Sequence, residues 1–143
     1  MKFRDIFDLK QIIFAVVLMG IMLLFAVNQS NNTVKIKFQD EAVRITSSEY
    51  NMEIEYDEVA AVSLEALAEP GEKLENGYDN EILRSGKWEN ETWGEYYICV
   101  DLDVSNCIVV TLEDGRTMVF SRKSDKETTE LYNELQTYVK SAQ

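Results

Sequence analysis

The stretch Tyr96–Ser121, YYICVDLDVSNCIVVTLEDGRTMVFS, constrains the fold more than any other part of the chain. Ile98, Val100 and Leu102 alternate with Tyr97, Cys99, Asp101 and Asp103, the period of two expected of a half-buried strand. Asp103–Asn106 interrupts that period with turn-forming residues. Cys107–Leu112 is a second apolar run, rich in β-branched side chains. Glu113-Asp114-Gly115 marks another turn, and Arg116–Ser121 a third strand. The stretch therefore predicts three antiparallel strands in a row.

Apolar parity selects the length of the second turn. A two-residue turn at Asp114-Gly115 pairs Val110 with Val119 and sets Ile108 against Ser121. A three-residue loop with Gly115 in a left-handed position pairs Val110 with Met118 and Ile108 with Phe120. A slip of one residue sends every side chain to the other face, so the second register, which gathers the larger apolar residues, is expected. In an all-antiparallel arrangement Ile98, Val100, Leu102, Ile108, Val110, Met118 and Phe120 share one face. Cys107 then lies opposite Asp103, and Cys99 opposite Thr111. That offset is about 13 Å along a strand, too far for a disulfide, so two free thiols are expected.

Towards the N-terminus, Ile12–Val27 (IIFAVVLMGIMLLFAV) is an unbroken apolar run. As a helix it would be about 24 Å long, slightly short of the hydrocarbon thickness, with Lys10, Gln11 and Asn28 able to sit at the interfaces. A membrane-spanning helix over residues 11–28 is expected, making the lipid bilayer a partner of this segment. Cleavage as a signal peptide after Ala26 is the competing possibility, although Leu24 is large for such a site. Lys2, Arg4 and Lys10 precede the run and Lys35 and Lys37 follow at a distance, which favours residues 1–10 in the cytoplasm and the remainder outside. Residues 29–33 read as a polar linker and residues 34–143 as the folded domain.

The 143 residues contain 14 basic and 26 acidic side chains. The first 27 residues hold three basic and two acidic ones, leaving 11 and 24 in the rest, a balance of −13. Such a domain is repelled by nucleic acid and by anionic headgroups, so no nucleic-acid partner is expected. There is no histidine, the commonest general base and metal ligand. Two cysteines are too few for a disulfide framework or a zinc site. No cofactor is expected.

Thr33–Gln39, Glu41–Thr46 and Asn51–Tyr56 alternate as three further strands, and Ala61–Glu65 is read as another. Ala66–Asp79, with Pro70-Gly71 and Gly77, reads as the longest loop. Its acidic residues fit no calcium-loop spacing, and neither does Asp101-x-Asp103-x-Ser105. Ser124–Ala142 is a clear amphipathic helix. Ser124 and Glu127 have capping-box spacing, and Leu131, Leu135 and Val139 form its apolar stripe.

Gly86-Lys87-Trp88, Trp93-Gly94-Glu95-Tyr96, Cys107–Val110, Asp114-Gly115, Val119–Ser121 and Thr129, Leu131, Tyr132 and Leu135 together resemble the bacterial pleckstrin-homology-like domains of small membrane proteins. The resemblance covers about Met52 to Val139. It implies a mainly β domain, a bent and partly open antiparallel barrel of about seven strands, closed at one end by the C-terminal helix. It implies no reaction and no catalytic residues. Eukaryotic relatives in fold use basic loops for phosphoinositides. No such cluster is present, so no phosphoinositide is expected.

Trp88, Trp93 and Tyr97 are the candidate interaction surface, with Trp93 the one expected nearest the solvent; burial of Trp88 and Tyr96 as barrel plugs is the competing reading. The expected function is a membrane-anchored, non-catalytic binding or scaffolding domain of the bacterial envelope with a protein or peptide partner. A sensing module that holds a small molecule or lipid inside the barrel is the alternative. An enzyme would need a carboxylate pair such as Asp101 with Asp103, and is not expected.

Overall fold

A computed structural model describes residues 3–31, 34–47 and 50–143. The chain divides into two compact units, one ending at Asn31 and one at Gln143. The first is a single helix, α1 (Phe3–Asn31). It extends beyond residues 11–28 at both ends and takes in most of the expected linker; residues 32 and 33 lie outside the described residues. Its apolar side chains are exposed all round, from Leu9 (50%) through Phe14 (70%) to Leu24 (71%). Among the described residues no helix is long and apolar enough to cross a membrane, so the expected span over 11–28 is not found as such.

The second unit is mainly β with one C-terminal helix, as expected, and holds two open sheets. The smaller sheet is an antiparallel meander of β1 (Lys35–Phe38), β2 (Ala42–Thr46) and β3 (Asn51–Glu55). Alternation sets its register, placing Ile36 opposite Ile45 and Ile45 opposite Met52. A 3₁₀ turn, Tyr56–Glu58, leads from β3 into the larger sheet. There β4 (Val59–Ala66), β5 (Glu72–Asp79), β6 (Leu83–Asn90), β7 (Gly94–Asp101), β8 (Asn106–Leu112) and β9 (Thr117–Phe120) lie in the order β4-β8-β9-β7-β6-β5. Among the described residues, nine strands in two open sheets stand where a single, partly open barrel of about seven was expected. Helix α2 (Asp125–Ala142) follows. Ser124 caps it, its Oγ accepting the Glu127 N–H at 3.2 Å.

The β8–β9 hairpin has the expected register, with Ile108 opposite Phe120 and Val110 opposite Met118. Gly115, at φ +93°, supplies the left-handed turn residue. The expectation for β7 fails. This strand pairs not with β8 but in parallel with β9, Ile98 opposite Val119 and Cys99 opposite Phe120. Parity along a strand says which residues share a face but not which strand lies alongside. With β9 inserted between them, β7 presents Cys99, not Ile98 and Val100, to the face that carries Ile108, Val110, Met118 and Phe120.

Both faces of these central strands are consequently buried. On one, they pack with Val43, Ile45 and Ile54 of the small sheet and with Leu131, Leu135 and Val139 of α2. The other gathers Trp88, Tyr96, Ile98, Val100, Cys107, Val109 and Val119. Burial on two sides explains why Cys107–Leu112 is apolar almost throughout. The thiols of Cys99 and Cys107 are free, as expected, and both are buried; they belong to opposite faces rather than to offset positions on one.

Candidate interaction edge

Of the three aromatic candidates, the structure brings two together. Trp88 on β6 is only 5% exposed, and its Nε1–H donates to the Ser85 carbonyl at 3.0 Å. Tyr96 is fully buried beside it and donates its hydroxyl to the Pro70 carbonyl at 2.6 Å. Both plug the second core, which leaves no surface role to Trp88. Trp93 is half-buried on the β6–β7 turn, held by its N–H to Asn90 Oδ1 at 2.7 Å and followed by Gly94 at φ +68°. Its ring meets Tyr96 edge-on at 5.1 Å between centroids. Tyr97 points to the other face of the sheet, half-buried, with Lys87 Nζ 5.7 Å from its ring.

Trp93 reaches further than sequence reasoning suggested. Its Nε1–H donates to Glu65 Oε1 at 3.4 Å, and Ser63 Oγ donates to Glu65 Oε2 at 2.5 Å. Glu65 and Ser63 belong to β4, an edge strand. The edge is thus part of the candidate site, and Trp93 stands at its C-terminal end. No local signal connects residues 28 positions apart; only the curl of the sheet does.

The edge has an open character. Among the described residues no strand lies beyond β4. Its eight residues, VAAVSLEA, include a single charge and no proline, and Ala60, Ala61 and Ala66 are exposed. Val62 and Leu64 are half-buried against the first core and fix which way the strand faces. In a terminal strand, half of the backbone N–H and C=O groups point away from the sheet.

At the other end of β4 the 3₁₀ turn borders a cavity of about 340 Å³ lined by Asp40, Glu41, Glu55, Tyr56, Asp57 and Ala142. The Tyr56 ring is buried beneath it, the hydroxyl 2.9 Å from the carbonyls of Gln39 and Ala42. Among the described residues, none of the four lining carboxylates has an ion-pair partner; the nearby arginines Arg44 and Arg116 pair with Glu53 and Glu58 instead. The Glu55 carboxyl is held above its ordinary range, first by Glu58 and then by Asp57. Ala142 closes α2, whose C-terminal end is the negative pole of its dipole. Cationic groups are favoured there by both sources.

Asp101 is buried, and burial raises its carboxyl above the usual range; it accepts the Asp103 N–H at 3.0 Å and so fixes the β7–β8 turn. Asp103 is exposed, so the two do not form a buried pair. Burial pushes both thiols up to about 12, far from a nucleophile's range. Among the described residues no group of three or more candidate ligands could hold a metal ion. No protein-family model matches the chain, and no curated protein or solved structure matches it.

Proposed function

We propose that this chain is a membrane-anchored, non-catalytic binding domain of the bacterial envelope, a variant on the pleckstrin-homology-like plan, whose partner is a protein or peptide. The observation that carries the binding role is the open β4 edge with Trp93 beside it. A nearly uncharged edge strand, with only its Val59 carbonyl taken by the Gln143 side chain, invites pairing, and proteins without a use for one generally blunt it. The parallel β7–β9 pair departs from the all-antiparallel barrel that the resemblance implies. The anchor reading is supported by the apolar run Ile12–Val27 and by the exposure of α1 side chains on every side, which water does not favour. The balance of positive charge about that run supports a cytoplasmic N-terminus and an extracytoplasmic domain.

The test is fractionation of cells that carry an epitope after Gln143, followed by protease treatment of intact cells. Retention in carbonate-washed membranes with digestion from outside is the expected result. Release by carbonate would overturn the anchor, and protection until lysis would overturn the topology. A photoreactive residue at Ala61, compared with one at exposed Glu130 on α2, tests the binding role in the same cells. A discrete adduct specific to position 61 is expected; equal or absent crosslinking at the two positions argues against it.

A further inference from the structure

We infer that the outer edge of β4 takes up an extended peptide as an added antiparallel strand, and that the peptide is basic at its C-terminal end, which lies in the carboxylate cavity beside the 3₁₀ turn. This deepens the binding reading above and rests on it. The Val59 N–H and carbonyl are taken by the Tyr56 carbonyl and the Gln143 side chain, so the open edge runs over residues 60–66, about 23 Å of strand at the usual rise and enough for a peptide of five to seven residues. Antiparallel pairing is the slightly more stable mode, and it directs the peptide's C-terminal end towards Val59. Val59 directly follows Tyr56–Glu58, so that end of the added strand meets Asp40, Glu41, Glu55 and Asp57.

Charge selects among possible occupants. A second copy of this chain would bring its own net charge of −12 against the same carboxylates. A peptide carrying lysine or arginine at that end relieves the repulsion that Glu58 and Asp57 impose on Glu55. At the opposite end Trp93 is tied to Glu65, and a half-buried indole there gives the peptide's N-terminal part an apolar surface. Backbone pairing supplies affinity, and the cavity supplies direction and preference.

The test uses the full chain in detergent micelles and a fluorescein-labelled peptide of alternating valine and threonine that ends in three lysines. Fluorescence anisotropy reads affinity, and hydrogen exchange reads location. Expected are salt-sensitive binding, slowed exchange confined to Val59–Ala66, and binding weakened about tenfold or more when glutamates replace the lysines. The double variant Glu55→Lys with Asp57→Lys, at two exposed positions, should reverse that preference. N-methylation of alternate peptide residues should abolish binding in one of the two possible phases. Binding with slowed exchange elsewhere, or indifference to the charge of the peptide's end, overturns the inference. So does protection of β4 that grows with protein concentration without peptide, which would mean self-pairing. Should no peptide bind while the position-61 adduct persists in cells, this inference fails and the binding reading stands. Loss of both removes the reading itself.

Discussion

The two edges of the six-stranded sheet are built differently. β5 carries Glu72, Lys73, Glu75 and Asp79, and its register slips twice against β6, between Lys73 and Glu75 and again between Glu75 and Tyr78. Bulges and charges are the usual devices that keep an edge from pairing with another chain. β4 has one irregularity, next to Val59, and then runs evenly against β8 from Ala61 to Ala66 with Glu65 as its only charge. One sheet thus has a blunted edge and an open one. The lesson is that accessibility alone does not mark a binding edge: β5 is the more exposed of the two and exposes Leu74 and Tyr78 as well. Regularity and low charge set β4 apart.

The comparison can be tested from its middle outwards. Phe120, fully buried on β9, stands between the halves that bear the two edges. Phe120→Ala should cost about 3–5 kcal/mol. Urea unfolding followed by hydrogen exchange should show both edges lost together, whereas survival of β5–β6 after β4 opens would divide the sheet into separate units. Alkali should act on the same central strands. The buried thiols have folded pKa values raised from 9.0 to about 12, so their contribution to stability is whole below pH 9 and disappears as pH climbs towards 12. Circular dichroism should show loss of stability across that window. Iodoacetamide at pH 8 should label neither thiol until the chain unfolds, and rapid labelling of the native protein would contradict their burial.

Gly71→Ala strikes the β5 side alone. Gly71 sits at φ +75°, and a Cβ there would overlap the Glu89 carbonyl on β6. A loss of about 1–3 kcal/mol is expected, with faster exchange in β5 and unchanged exchange in β4. The smallest effects on stability are at the edges themselves. Ala61→Lys and Glu75→Val should each shift stability by no more than about 0.5 kcal/mol. Ala61→Lys should weaken peptide capture, while Glu75→Val should create none at β5, because its bulges remain. Capture at β5 in the second variant would mean that charge, not backbone irregularity, closes that edge.

Much of this fold was legible because local signals agreed with one another. The β8–β9 register followed from apolar parity and Gly115, and α2 from Ser124, Glu127 and the Leu131-Leu135-Val139 stripe. The three strands of the small sheet followed from their alternation, but not their separation from the larger sheet. β5 was missed because its side chains from Glu72 to Glu75 and at Tyr78 and Asp79 are all exposed, which leaves no buried face to impose a period, and Pro70-Gly71 with Gly77 suggests a loop. The partner of β7 was missed because periodicity carries no information about lateral order. The site was half legible. Trp93 stood out by composition, but its bond to Glu65 depends on how the sheet curls, and the cavity gathers residues from two separate stretches and the end of α2.

The parallel pairing of β7 with β9 has a consequence for the order in which the sheet is assembled. β5-β6-β7 is built from consecutive hairpins, and β8-β9 is another, so each can zip from its own turn. The join between them is three residue pairs long, Tyr97–Cys99 against Met118–Phe120, and has no turn to start it. It must wait until β9 has left the ribosome, closing a loop of about twenty residues at a cost in chain entropy that local hairpins avoid. Until then, the inner flank of β7 is itself an unpaired edge, apolar and buried in the finished protein. A nascent chain halted before Met118 therefore offers a sticky strand that the mature domain keeps hidden.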